Sequence, residues 1–519
     1  MKKKIFIISD LHLGGCPDER DDLGRITKPG SQICHAYPQL TAFIDWLNKE
    51  ATDFNGDIEL VINGDIVDFL AADDFDDPTI NASIWTANET VATRKLNQII
   101  KRTQEGHNRG PFDALKDFIA NDNQLTLILG NHDVELALPN VRQYLQTILG
   151  TQHGGLQFIY DGEAYACGDL LIEHGNRYDP WNVVDHSALR QERSMLSRGL
   201  TVDEQERTKQ YFLPPAGTLL VIYLINHLKK HYRFVDLLKP ETGAVIPLLL
   251  TLKPDYHDIL QDILSLTPVV KRVIGGRLAE SAKPAKPGYL KAGPRSSPQR
   301  DRLTEVSDVL KETLGEEAAL FQFQQKPQPG HLSTSRKQSP SLETLLDKAQ
   351  HIASNTNTLF RLATEPAEPK RLKQLHVALK QLNMDFSFDI HQEESNYLEA
   401  AKAMIDTGKF SYVVFGHTHL PKQIQLQTAS GKTGQYLNTG TWADVMHLPA
   451  QIMGDNESAT NALTDFIEAM RNNDFSHYVK RYLSYVEVTL RNNQVTDAKL
   501  QSFCGRGAER KTALTEFPK

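Results

Sequence analysis

Five short apolar runs along this 519-residue chain share one design. They are KIFIISD (4–10), IELVINGD (58–65), LTLILGNHD (125–133), DLLIEHG (169–175) and SYVVFGH (411–417). Each is continuous in Ile, Val or Leu, as a strand buried on both faces requires. Each closes on Gly, Asp, Asn or His. Between the first four lie segments with helical apolar spacing, such as YPQLTAFIDWLNKEA (37–51) and PFDALKDFIAND (111–122). Strands alternating with helices predict an α/β sheet. Polar residues at the strands' carboxyl ends place a site along that edge.

After His174 this rhythm stops for more than two hundred residues. The pattern therefore predicts a core in two parts, 1–186 and 395–519, around a mostly helical insertion at 187–394. Within the insertion, a stretch near 275–340 is rich in Pro, Gly, Ser and Lys, a composition that buries little surface and reads as a linker. Helices are expected near 341–363 and 368–383, and again at ESNYLEAAKAMIDTG (394–408). The alternating segment 482–503 carries RNNQ between its halves and reads as a hairpin.

Composition narrows the class without naming it. Hydrophobic content of 40% and charged content of 24% describe an ordinary globular protein. The net charge of −8 argues weakly against general nucleic-acid affinity. Residues 265–300 run the other way, with eight Lys and Arg against a single Glu. The sharper use of that segment is contact with nucleic acid or an anionic lipid surface; the blander one is a solvated linker. The four cysteines form no C-x-x-C pair, which fits a reducing compartment and excludes a thiolate metal site. Four apolar residues, Ile5 to Ile8, fall short of a signal-peptide core. GTLLVIYLINHL (217–228), the most apolar window, is too short to span a bilayer. A cytoplasmic protein without a transmembrane segment is expected, with a peripheral membrane position as the variant.

The strand ends supply the candidate chemistry. In order they offer Asp10 and His12, Asp65 and Asp68, then Asn131, His132 and Asp133, then His174, then His417 and His419. Singly these are weak signals, but each ends an apolar run of the same kind. Carboxylates, an amide oxygen and imidazoles, with no thiolate, suit a hard or borderline divalent ion: Mn, Fe, Zn, Ni or Co. One ion rarely needs two Asp, an Asn and four His. Two ions sharing a carboxylate would use all seven.

The order D-x-H, G-D-x-x-D, G-N-H-D, H-G, G-H-x-H resembles the calcineurin-like metallophosphoesterase superfamily, over roughly 1–186 and 395–503. The resemblance implies a four-layer αββα sandwich carrying the large helical insertion. It implies two divalent metal ions, Mn first among the candidates. Asp10, His12, Asp65 and His419 would hold one, and Asp65, Asn131, His174 and His417 the other. His132, oriented by Asp133, would act on the phosphate or leaving group while a hydroxide bridging the metals attacks phosphorus. Asp68 reads as a residue behind the ligands, and Asn438 and Trp442 as structural.

The expected activity is hydrolysis of a phosphomonoester or phosphodiester. Alternatives are a nuclease or nucleotide phosphodiesterase, a membrane-associated lipid pyrophosphate hydrolase, and a non-catalytic scaffold, which the complete motif set disfavours. The lipid alternative comes from similarity to UDP-diacylglucosamine pyrophosphohydrolases. The chain departs from them with GNHD for G-N-R-D and HGN for H-G-D. Arg177 and Tyr178, in HGNRYDPWN, are weak candidates for contacting substrate, since Arg binds phosphate through a bidentate fork. The competing use of Arg177 is an ion pair with a nearby acid.

Overall fold

The computed structural model describes residues 2–71, 85–200 and 388–503 apart from 24, 25, 29, 152, 153 and 180, short pieces between 211 and 252, and residues 368–381. The basic run 265–300, the remainder of the linker to 340 and the helix expected at 341–363 lie outside the described residues. Two compact units are found: Met1–Leu237 with Asp385–Val445 and Val479–Lys519, and Leu238–Met384 with Met446–Tyr478.

The first unit opens with β1 (Lys2–Ile8), α1 (Tyr37–Asp53), β2 (Asp57–Asn63), α2 (Glu89–Arg102) and α3 (Pro111–Ala120). It continues with β3 (Gln124–Ile128), α4 (Pro139–Ile148), β4 (Leu156–Ile159), β5 (Tyr165–Cys167), β6 (Leu170–Ile172) and α5 (His186–Leu196). Local chemistry sets the helix starts. Prolines occupy the first positions of α3 and α4, where the missing N–H costs nothing. Asn88 caps α2 by accepting from the N–H groups of Thr90 and Val91.

The second unit contributes α6 (Glu368–Gln381), after which the first resumes with α7 (Ser395–Asp406), β7 (Tyr412–Phe415), β8 (Lys422–Gln427) and β9 (Thr433–Asn438). The helix α8 (Glu457–Arg471) belongs to the second unit and packs on α6. The chain closes with β10 (Ser484–Arg491) and β11 (Gln494–Ser502). These two form the expected hairpin. Asn492 and Asn493 both have positive φ, 50° and 64°, the conformation that matches a two-residue turn to strand twist.

Two sheets result. One has six strands in the order β11-β10-β1-β2-β3-β4, with β1 to β4 parallel and β10 antiparallel to β1. The other has five in the order β8-β9-β7-β6-β5, with β9, β7 and β6 parallel. The period of two along β1 sorts its side chains. Ile5 and Ile7 pack with Ile172, Val414 and Leu437 between the sheets, while Phe6 and Ile8 pack beneath α1 and α3. On the far side, Val413, Phe415 and Tyr436 pack against Tyr397 and Ala401 of α7. The layers are helix, sheet, sheet, helix: an αββα sandwich. Each fully buried Ile or Phe contributes about 1.5–3 kcal/mol.

The five site-bearing strands do not share one sheet, as the pattern alone suggested. β1, β2 and β3 lie in the first, β6 and β7 in the second. A continuous apolar run reports cover on both faces, and a second sheet covers as well as a helix.

Residues 187–237 fall in the first unit. Glu192 ties them there, accepting from the Trp85 indole N–H and the Phe212 N–H. Asn226 donates to the Leu70 carbonyl, and Arg233 pairs with Asp18. Among the described residues no helix is long and apolar enough to cross a membrane, and Cys16, Cys34 and Cys167 are thiols.

Candidate metal centre

The residues leaving β1, β2 and β7 bend sharply. Asp10, His12, Asp65, His417 and His419 all have φ between 44° and 69°, a left-handed backbone that L residues rarely hold. Each such residue costs of order 1–3 kcal/mol, and the surrounding packing must impose it. The bend turns each side chain from along its strand to across the sheet edge. Two glycines make room. A Cβ on Gly416 would stand 2.5 Å from Ser9 Oγ and 2.7 Å from Asp10 Oδ2. One on Gly64 would stand 2.2 Å from His174 Nδ1.

The predicted residues converge. Asp10, His12 and His419 form one cluster, and Asp65, His174 and His417 another, with candidate ligand atoms in each within 4.8 Å of one another. His12 Nε2 and His419 Nε2 are 3.0 Å apart, and His419 Nε2 is 3.4 Å from Asp10 Oδ1. Asp65 Oδ2 lies 3.2 Å from His174 Nε2 and 3.8 Å from His12 Nε2, so one oxygen faces both clusters. His174 Nδ1 donates to the Asn63 carbonyl at 2.8 Å, which turns Nε2 toward Asp65. All but His417 and His419 are fully buried.

Burial and charge act together here. Burial opposes the Asp10 carboxylate, yet the hydrogen bond from His419 and the charge of His174 bring it to about 2. His174 is disfavoured as a cation by burial, but Asp65 pulls it up to about 10. Within the site, Asn131 Oδ1 is buried without a hydrogen-bond partner, and Asp10 Oδ1 has only the His419 imidazole, 3.4 Å away. An unsatisfied buried polar oxygen costs about 1–3 kcal/mol. An oxygen- and nitrogen-lined space that leaves the Asn131 oxygen unpaired fits divalent cations without rearrangement.

Three of the expected residues have partners within the fold other than those anticipated. Asp133 does not orient the His132 ring. Its carboxylate is fully buried and accepts from the Gly130 and Ile66 N–H groups at 2.7 and 2.8 Å, bracing the loop. Burial and then the nearby Asp65 charge push it up to about 8. Asp68 makes the contact, with Oδ1 3.2 Å from His132 Nδ1 and Oδ2 3.5 Å from His12 Nδ1. Arg177 is committed to the scaffold, 3.2 Å from Glu173 and donating to the Gly162 carbonyl. Tyr178 likewise donates to Glu173 and stacks on Phe415 at 5.3 Å. In both cases Glu173 is the acid that takes the group.

Sequence reasoning missed Asp179 and Asn182. Asp179 Oδ2 is 3.2 Å from His417 Nε2, and Asn182 accepts from Asn131 Nδ2 at 3.5 Å. The signal was an acid and an amide within eight residues of His174, in a loop where only Arg177 and Tyr178 drew attention. Asn438 and Trp442 are structural as expected. Asn438 donates to the Gly416 carbonyl and to Thr418 Oγ1, holding the His417–His419 turn. The Trp442 indole N–H donates to the Ser484 carbonyl inside the core.

Residues 3–216 match the family described as calcineurin-like phosphoesterase. The match spans less than half of the chain and supports that superfamily. Family members are, in general, metal-dependent phosphoester hydrolases that use two divalent metals. No curated protein matches the chain. The matched residues stop short of the GHTH turn, and the structure supplies the connection. The pairing of β7 with β6 brings His417 and His419 to Asp10, His12, Asp65 and His174, which lie within the matched residues.

Proposed function

We propose that this chain hydrolyses a phosphomonoester or phosphodiester at a pair of divalent ions, with Mn the first candidate. Asp10, His12, Asp65 and His419 would hold one ion, and Asp65, Asn131, His174 and His417 the other. The observation that carries this is Asp65 Oδ2, 3.2 Å from His174 Nε2 and 3.8 Å from His12 Nε2, one oxygen facing two clusters. A carboxylate oxygen facing two ligand clusters is what a shared ligand requires.

Two bound ions supply positive charge against the phosphoryl oxygens and acidify a water. The chain's own residues do the rest. The five left-handed residues keep the ligand atoms on one surface, so little reorganisation accompanies phosphate binding. His132 has a partly exposed side chain, its ring lying edge-on to His12 at 4.7 Å. An Nδ1–H that donates to Asp68 leaves Nε2 facing outward from the pair. Burial opposes the Asp68 charge, but the charge of His132 beside it holds its carboxyl well below the usual range. As the bond from phosphorus to the leaving oxygen breaks, Nε2–H of His132 passes its proton to that oxygen.

The test is hydrolysis of bis(p-nitrophenyl) phosphate and p-nitrophenyl phosphate by Mn-loaded full-length protein, with metal content measured alongside. His132→Ala is expected to lose about 10²–10⁴-fold in kcat while keeping both ions. Asp65→Ala should lose activity and metal together. Turnover that survives stringent chelation would sink the proposal.

A further inference from the structure

The loop after His174 does more than connect β6 to α5, and this inference rests on the dinuclear reading above. We propose that Asp179 and Asn182 form a bracket that positions His417 and Asn131, two ligands of the same ion, and that Gly217 seats that bracket. The chain of contacts is continuous. Asp179 Oδ2 meets His417 Nε2 at 3.2 Å and accepts from Asn182 Nδ2 at 2.8 Å. Asn182 Oδ1 accepts from Asn131 Nδ2 at 3.5 Å, the long end of a hydrogen bond.

Each contact settles an orientation. A His417 ring that donates from Nε2 to Asp179 presents the lone pair of Nδ1 to an ion. An Asn131 amide that donates from Nδ2 to Asn182 presents Oδ1, the buried oxygen left without a partner. The bracket is itself held. Asp179 Oδ1 accepts from the Trp181 N–H at 3.0 Å, and Asn176 Nδ2 donates to the Asn182 carbonyl at 2.8 Å. Asn396 at the start of α7 donates to the Tyr178 carbonyl.

Gly217 adds a tie from the segment beyond α5. Its N–H donates to the Trp181 carbonyl at 2.7 Å. A Cβ there would stand 2.2 Å from Asn182 Oδ1, the atom that accepts from Asn131. The other cluster is backed differently. Asp68 lies behind His12, and the Thr441 hydroxyl donates to the Asp10 carbonyl. Loss of the bracket is therefore expected to weaken one ion and spare the other.

The experiment titrates Mn into metal-free full-length protein by calorimetry and follows the electron paramagnetic resonance signal, which distinguishes single from coupled ions. Wild type is expected to take two. Asp179→Ala and Asn182→Ala should weaken one of the two by about 10–100-fold, the usual effect of removing a group behind a ligand. A single-ion spectrum should then appear at intermediate loading. Asp179→Asn, which retains an acceptor oxygen, should recover part of that loss and provides the folded comparison. Gly217→Ala should show the same selective loss, although it alters no hydrogen-bonding side chain. In all four, kcat at saturating Mn should return toward wild type while the Mn requirement rises.

Variants that keep both affinities within threefold of wild type would overturn the bracket. So would an equal loss at both ions, which would make the loop general scaffold. A wild type that binds no ion would overturn the dinuclear reading itself, a result distinct from either.

Discussion

Replacing one hydrogen by a methyl at Gly416 tests whether the turn after β7 is set by steric fit. The Cβ of Gly416→Ala would stand 2.5 Å from Ser9 Oγ and 2.8 Å from Ser9 Cβ. Ordinary contact begins at 3.4 Å, so Ser9 must retreat by about 0.9 Å. It has nowhere to go without Asp10. Ser9 Oγ hydrogen-bonds the Asp10 carboxylate, the Thr439 hydroxyl and the Gly440 carbonyl, all buried. Asp10 Oδ2 in turn accepts from the His417 N–H at 2.9 Å. Overpacking of this kind costs about 1–3 kcal/mol. A displacement near 1 Å in a positioning group costs on the order of 10²-fold in rate.

Gly431→Ala is the matched control. Gly431 has φ of 84° and nothing within 4 Å of an added Cβ. It should lose about 1–2 kcal/mol from left-handed strain alone. Urea unfolding and initial rates on bis(p-nitrophenyl) phosphate at saturating Mn are the paired assays. Both variants are expected to lose comparable stability, and only Gly416→Ala to lose about 100-fold in kcat. Equal activity in the two, whether both fall or both hold, would refute the steric argument.

Two further outcomes follow from buried contacts. Asn438→Ala strands the Gly440 N–H, which the amide satisfies at 2.9 Å, and leaves the Gly416 carbonyl only the Thr418 N–H. One orphaned backbone group predicts a loss of about 1–3 kcal/mol by urea unfolding, and no measurable loss would contradict it. Asp444 is paired with Arg481 at 2.5 Å and His35 at 3.0 Å. Burial raises its carboxyl, but these two partners hold it below the ordinary carboxylate value. A depressed folded pKa stabilises above the unfolded value, near 3.9, and that contribution is lost as pH falls through the folded pKa. Asp444→Asn should therefore be less stable than wild type at pH 7, with the gap closing only below about pH 4. A gap that closes by pH 6 would refute that account.

Much of the metal centre was legible because residue type and chain position sufficed. Asp10, His12, Asp65, His174, His417 and His419 each stand just after an apolar run, and the structure gathers them into candidate clusters. The hairpin at 484–502 was legible for a similar local reason, two Asn at a two-residue turn. Partners were less legible. Asp133 follows His132 directly in the chain and was assigned to it, yet backbone N–H groups claim both its oxygens. Arg177 looked available for phosphate until the fold set Glu173 beside it.

By itself the sequence pointed to the candidate groups, and to their place at the carboxyl ends of buried strands. Apolar periodicity reports burial, and Gly, Asp and His at its end report a break in the ladder. Both are local properties. Only the tertiary structure decided that these strands belong to two sheets, that Asp68 meets His132, and that Asp179 meets His417. The last pair is 238 residues apart in the chain. The β6–β7 pairing and a loop held by Asn182 and Gly217 set the distance between them, and no run of neighbouring residues encodes a distance of that kind.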